Sequence, residues 1–188
     1  MNNVKKLYEN IRICVILPFC SYIKQKIIRG IPVIIEPDIV LQDIHATSKK
    51  HVLTEVSKAV TRHLNHLDGA CTSGSILGAL LEREKIGSTA IGAGVAIPHI
   101  RLSCLDECIS SFVRLKTPIN FDAADGMPVD LIYVFLAPEN AQGKAASLMQ
   151  LARISNFFRD TRFCDMLRES DDIIRLIQLR NAQIFDAA

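Results

Sequence analysis

Residues 129–137 read VDLIYVFLA, an almost unbroken apolar run dominated by β-branched and aromatic side chains. A run of this length without polar alternation is a strand buried on both faces. Such a strand needs a layer of cover on each side, so the remainder of the chain has to supply helices for two faces of one sheet.

The flanking sequence supplies them. In SKKHVLTEVSKAVTRHLNHL, Ser48 is an N-cap and Val52, Leu53, Val56, Ala59, Val60, Leu64 and Leu67 recur at helical spacing, with Asp68-Gly69 as the stop. A second helix is expected over residues 73–85, with Ile76, Leu77, Leu80 and Leu81 as its buried stripe and Gly87 as its end. After Pro138 the helical period returns, with Leu148, Leu151, Ala152, Ser155 and Phe158 on one side. Two shorter helices follow near 160–169 and 171–180, the second capped by Ser170. Between these lie a short strand in GAGVAIPH, a strand over 108–116 and a turn at Asp125-Gly126. IPVIIEPDIVLQDI leads into the domain rather than forming a long helix, because Pro32 and Pro37 interrupt it. Helices and strands interleave, which predicts an α/β fold with a mixed β-sheet flanked by helices.

Residues 31–188 are expected to be one domain. Residues 1–30 differ in character: Lys5, Lys6, Arg12, Lys24, Lys26 and Arg29 stand against Glu9 alone. IRICVILPFCSYI is too short to span a bilayer core of about 30 Å. It starts like a signal peptide but lacks a small-residue cleavage pattern. A loosely attached or poorly ordered extension is the expectation, with no stable membrane insertion. The net charge of the whole chain is only +2, so the body beyond residue 30 is net acidic. That argues against nucleic acid as a partner. The six cysteines show no Cys-x-x-Cys pair, so no zinc site is expected; buried free thiols of a reducing cytoplasm fit them. His63 and His66 lie three apart on a helix without a third ligand and read as a solvated edge.

The chemistry concentrates at GSTAIGAGVAIPHIR, residues 87–101. A dinucleotide fingerprint fails here, because Ile97 stands at the third glycine position and no helix follows. What remains is His99 on a loop, with Arg83 upstream and Arg101 two residues on. Gly87, Ser88 and Thr89, followed by further glycines, can turn backbone N–H groups toward one anion. A neutral imidazole nitrogen can attack phosphorus while guanidinium groups hold the equatorial oxygens. An unperturbed histidine titrates near pH 6.5, roughly, so much of it is neutral in the cytoplasm.

The stretch LLEREKIGSTAIGAGVAIPHIRL resembles the signature of the fructose/mannitol-type enzyme IIA domain of the bacterial phosphoenolpyruvate-dependent phosphotransferase system, and most of all its nitrogen-regulatory members. The similarity continues through TPINFDAADGMPVDLIYVFLAP and LARISNFFRD to MLRESDD, and back to DIVLQDIHATSKKHVL, covering residues 33–180. The resemblance implies a mixed sheet flanked by helices and a phosphohistidine at His99. Its phosphoryl group would come from a small histidine phosphocarrier protein, HPr- or NPr-like, charged in turn by enzyme I. It places Arg83 beside the phosphohistidine and Ser88, Thr89 and Arg101 around the phosphate. No cofactor and no metal are implied. Two positions depart from the family pattern: Ser147 stands where a second histidine is usual, and Ile100 where glycine usually follows the active histidine.

The leading expectation is therefore a cytoplasmic regulatory phosphocarrier, whose binding to partners such as kinases or transporters changes with phosphorylation. Two alternatives stay open: a sugar-specific IIA subunit donating to a separate IIB domain, and a binding module with a silent site.

Overall fold

The computed structural model describes residues 13–15, 35–64, 71–139 and 141–186. Among them seven strands form one mixed sheet: β1 (Ile13–Val15), β2 (Ile39–Ile44), β3 (Ala90–Gly92), β4 (Val95–Ala96), β5 (His99–Leu102), β6 (Ile109–Ile119) and β7 (Val129–Pro138). The helices are α1 (Lys49–His63), α2 (Ser73–Ile86), α3 (Ala141–Phe157), α4 (Thr161–Glu169) and α5 (Ile173–Asp186). The spatial order is β1-β2-β6-β7-β4-β3, with β5 also on β7. β6 runs antiparallel to β7 and parallel to β2, while β4 and β5 run parallel to β7.

The apolar run that becomes β7 is covered on both faces. Ile132, Val134 and Leu136 face a core shared with α1 and α2, including Val52, Leu53, Val56, Ile76 and Leu80. Leu131, Tyr133, Phe135 and Ala137 alternate to the opposite core, packed with Ile154, Phe158, Phe163, Leu167 and Ile177 from the three C-terminal helices. Phe158 anchors this second layer, stacked on Phe112 and set against Tyr133 and Phe157. The mixed sheet flanked by helices is thus as expected.

Ser48 caps α1 as expected, its hydroxyl accepting from the His51 amide at 3.2 Å. Leu67, Asp68, Gly69 and His66 lie outside the described residues, as does the extension apart from β1. α1 closes instead on Leu64, whose amide reaches back to the Val60 carbonyl. α2 is capped by Thr72 in a reciprocal pair with Ser75.

Three expectations are corrected. The buried side of α3 is rotated from the expected stripe: Ser147, Ile154 and Phe157 are buried and Leu148 and Ala152 are exposed, while Phe158, just past the helix, is buried as expected. The cause is the pair Phe157-Phe158, whose ring contacts fix the helix phase. Ser170 does not cap the last helix, which begins only at Ile173: its amide closes α4 on the Met166 carbonyl and its hydroxyl accepts from the Asp172 amide. Asp172 takes the role, its carboxylate accepting from the Arg175 amide. The cysteines are not all buried thiols: among the described residues Cys71 and Cys104 form a disulfide, Cys108 is exposed and Cys164 is a buried thiol. The pair is 33 residues apart in sequence, a separation that spacing rules do not read.

One polar residue holds the helical layer to the sheet. Arg114 of β6 is buried and donates to the carbonyls of Leu167, Arg168 and Ser170 at the end of α4, and to Asp43. Its charge meets the negative end of the helix dipole. Removing it strands three carbonyls away from their donor. Replacing Arg114→Met is expected to lower stability by about 2–4 kcal/mol, read as the shift in urea midpoint; a loss below about 0.5 kcal/mol would show that these bonds contribute nothing beyond packing.

Candidate functional site

β4 and β5 lie end to end along one edge of β7. Ala96 sits opposite Ile132 and His99 opposite Phe135, so the register is the same on both sides of the gap. Pro98 causes the gap, since it has no amide proton to give to the ladder. Its carbonyl still accepts from the Phe135 amide at 2.9 Å. The Ile97 amide turns the other way, to the Thr89 carbonyl at 2.9 Å, and its carbonyl is left to meet the His99 ring.

The ring is held from both nitrogens. Nδ1 lies 2.8 Å from the Ile97 carbonyl oxygen, and the Arg83 Nε–H points at Nε2 at 3.3 Å. A carbonyl can only accept and a guanidinium can only donate, so the proton belongs on Nδ1 and the lone pair on Nε2. His99 is therefore a neutral imidazole with a defined tautomer. Burial lowers its pKa below the usual 6.5, and the nearby charges of Arg83 and Arg101 push the same way. The Ile97 carbonyl and Glu84 oppose this, without reversing the direction.

Arg83 comes from the last turn of α2, where a basic residue suits the negative helix end. Its Nη1 donates to the Gly87 carbonyl at 3.0 Å, which fixes the side chain across the helix terminus. Ile100 and Leu102 pack into the core with α1 and α2, so His99 and Arg101 alternate toward the other side of β5. There Arg101 donates to the Ser147 hydroxyl at 3.3 Å, and Ser147 is buried on α3. Two pairs thus meet at one sheet edge: Arg83 with His99, and Arg101 with Ser147.

Ser88 and Thr89 are placed differently from the expectation. The Ser88 hydroxyl donates to the Phe121 carbonyl at 2.6 Å and accepts from the Ala90 amide at 3.2 Å. Thr89 gives both its amide and its hydroxyl to Glu84. These groups hold the 87–90 loop in place, and in this state their protons are spent within it. The glycines of GAG likewise serve geometry: Gly92 and Gly94 take positive φ in the β3–β4 turn. At Gly94 a Cβ would lie 2.6 Å from the Arg168 guanidinium, which is clamped on Asp130.

Sequence reasoning missed Glu84. It sits in the charged string EREK, which reads as a solvated face, yet its carboxylate is almost wholly buried at 4% exposure. It bridges Lys49 Nζ at 3.1 Å to the Thr89 hydroxyl and amide. Lys49 also lies over the Phe121 ring, 4.7 Å from its centre, and pairs with Asp122. No local motif marks such a residue, because its partners come from α1 and the loop beyond α2.

The arrangement yields a direct test. Ring titration of His99 by NMR should give a midpoint below 6.5. Arg83→Gln should move that midpoint upward, because a charge that disfavours the protonated ring is gone. Protonation favours the unfolded chain where the folded pKa is depressed, so the stabilising contribution of this ring is present above pH 6.5 and falls away as pH drops through the folded midpoint. A midpoint at or above 6.5 would contradict the burial and charge balance described.

Comparison with known proteins bears on this geometry. Residues 33–180 match the family model of the phosphoenolpyruvate-dependent sugar phosphotransferase system, EIIA 2. The chain is 39% identical over 139 residues to the nitrogen regulatory protein of Bradyrhizobium diazoefficiens, covering 74% of this chain and 86% of that protein. It is 41% identical over 117 residues to the nitrogen regulatory protein of Pseudomonas aeruginosa, covering 62% of this chain and 73% of the relative. Among solved structures, the nitrogen regulatory protein IIA-Ntr from Neisseria meningitidis superposes with a TM-score of 0.66 at 30% identity, over 75% of this chain and 91% of that one.

Proposed function

The chain belongs to the EIIA 2 family of the phosphoenolpyruvate-dependent sugar phosphotransferase system, and from that premise we propose that it is a regulatory phosphocarrier that accepts a phosphoryl group on Nε2 of His99. The observation that carries the proposal is the fixed tautomer: a neutral ring whose Nε2 lone pair lies at a sheet edge beside a guanidinium.

In the proposed step, the donor is a phosphohistidine of a small HPr- or NPr-like carrier protein. The Nε2 lone pair forms the new N–P bond while the donor's N–P bond breaks, its electron pair returning to the donor ring. Arg83 leaves Nε2 and turns its donors to the phosphoryl oxygens, and Arg101 supplies a second cation. The His99 ring gains positive character as the bond forms, and the Ile97 carbonyl on Nδ1–H stabilises it. Ser147 stands at the edge of this pocket as a neutral hydroxyl donor, in the place where a charged second histidine would help hold the oxygens. Ser88 and Thr89 contribute by shaping the loop, with the two hydroxyls and the Thr89 amide available to phosphate only if Phe121 and Glu84 release them.

Transfer takes place in the cytoplasm, where phosphoenolpyruvate is available. Among the described residues no helix is long and apolar enough to cross a membrane. Phosphorylation adds up to about two negative charges at an exposed edge, enough to exclude or create a protein contact. The nitrogen-regulatory names of the relatives favour regulation of partner proteins such as kinases or transporters over sugar delivery.

The test is incubation with phosphoenolpyruvate, enzyme I and the phosphocarrier, followed by intact mass. An acid-labile phosphoryl adduct should form and be absent in His99→Ala. Arg83→Ala should slow its formation by about a hundredfold, the usual effect of losing one oxyanion donor. Ser147→His should accelerate it roughly fivefold, since a hydrogen bond from a charged donor exceeds a neutral one by about 1 kcal/mol. No adduct on His99 would leave the binding-module reading, and rapid onward transfer to a IIB domain would favour the sugar-specific one.

A further inference from the structure

The Cys71–Cys104 disulfide and the Arg83–His99 contact are the two ends of one helix–strand packing. Cys71 directly precedes Thr72, the cap of α2, and Arg83 lies in the last turn of the same helix. Cys104 follows the end of β5, and His99 begins that strand. The path from Cys71 along α2 to Arg83, across to His99 and along β5 to Cys104 therefore closes on itself at the sulfur bridge, where the Cα atoms are 5.7 Å apart. Inside this ring the apolar residues Ile76, Leu77, Leu80, Ile100 and Leu102 share one core.

The two sulfurs differ in access. Cys71 is buried at 6% exposure, whereas Cys104 is half-buried on the turn beyond β5, beside exposed Ser103 and Asp106. A small thiol can reach one sulfur and not the other, the pattern expected of a bond that opens and closes in the folded state.

We propose that Cys71 and Cys104 form a reversible modification site for low-molecular-weight disulfides, and that the bond braces α2 against β5 so as to hold Arg83 on His99. Closure runs by thiol–disulfide exchange. The Cys104 thiolate attacks one sulfur of the small disulfide and releases the first small thiolate. The Cys71 thiolate then attacks Cys104 in the mixed disulfide and releases the second. The two protein thiol protons end on the two released thiols, so two protein thiols and one small disulfide give one protein disulfide and two small thiols. The apolar packing of α2 is unchanged in either state, and what opening removes is the covalent pin opposite the 3.3 Å contact between Arg83 and His99. The inference uses the site's geometry and does not depend on phosphoryl transfer.

The full chain is equilibrated in buffers of varied glutathione disulfide-to-glutathione ratio, alkylated, and analysed by intact mass and peptide mapping. The Cys71–Cys104 link should form and open reversibly without denaturant. The oxidised form should melt roughly 10 °C higher, as closing a loop of this length implies. The His99 ring resonances should differ between the two forms, while those of exposed His45 and His51 stay in place. A Cys71→Ser/Cys104→Ser double variant should keep the reduced-form His99 spectrum at every ratio, which separates bracing from a general glutathione effect. The site is overturned if the two residues stay as thiols at all ratios, if the bond opens only on unfolding, or if Cys104 pairs with Cys108 instead. The bracing is overturned if the bond forms and the His99 resonances are the same in both forms. Phosphoryl acceptance enters none of these readouts.

Discussion

Between Ala96 and His99 the strand along β7 is interrupted while keeping its register, because Pro98 has no amide proton to give, although its carbonyl still accepts from the Phe135 amide. Residue 97 points the opposite way from Pro98, away from β7 and toward Thr89 beside β3. Here the peptide is turned, its amide is given to Thr89, and its carbonyl accepts from the His99 ring. That one bond decides which nitrogen carries the proton, and through it which nitrogen can act as a nucleophile. The alternation of β5 then follows: with Ile100 and Leu102 in the core, His99 and Arg101 are directed out to the edge. A sheet edge is otherwise a liability, since its unpaired groups invite other chains. In this molecule its short, interrupted strands carry His99 and Arg101.

The loop beneath the histidine is organised by a buried charge. Glu84 removed from water is costly unless its oxygens are fully served. Lys49 on one oxygen and the amide and hydroxyl of Thr89 on the other serve them. The consequence is geometric as well as energetic. Glu84 follows Arg83 on the last turn of α2, so the contacts that fix Glu84 also set where Arg83 begins its reach to Nε2. Glu84 in addition favours the protonated ring, partly offsetting the two arginines. The histidine sits between opposed influences, and burial settles the balance on the neutral side.

Much of this was legible before the structure. The run 129–137 dictated a doubly covered strand, and both cores are found on its alternate residues. Ser48, the stripe of α1 and the end of α2 at Gly87 were legible because their signals are local: a side chain bonding an amide three residues away, an apolar helical period, and a residue of poor helix propensity. His99, Arg83 and Arg101 were named as an imidazole with two nearby guanidinium groups, and in the fold Arg83 meets the His99 ring while Arg101 meets Ser147. What was not legible depended on partners distant in sequence. The phase of α3 is set by rings from β6, β7 and α4 meeting Phe157 and Phe158. Glu84 in a charged string is indistinguishable from a solvated residue until Lys49 and Thr89 are seen beside it. The Cys71–Cys104 pairing depends on a helix and a strand packing side by side. The Gly87-Ser88-Thr89 stretch reads as a backbone nest for an anion, and that the Thr89 amide is given to Glu84 could not be read there because the partner lies outside the stretch.

Ser147 completes the electrostatic argument. It is buried, and its hydroxyl accepts from Arg101, so it orients a guanidinium without adding a charge. A cationic histidine in its place would press down further on the pKa of His99 and would repel Arg101. With serine there, the local positive field at Nε2 rests chiefly on Arg83, which is half-buried, while Arg101 is exposed and more strongly screened. Such a site favours a neutral, attack-ready imidazole over tight electrostatic capture of the incoming phosphoryl group. A carrier built to relay phosphate quickly needs strong stabilisation of the charge that develops during transfer. One whose partners read its phosphorylation state needs only that the two states persist and differ in charge. On the phosphocarrier proposal, a neutral donor at this place is an arrangement that a regulator tolerates better than a fast relay does.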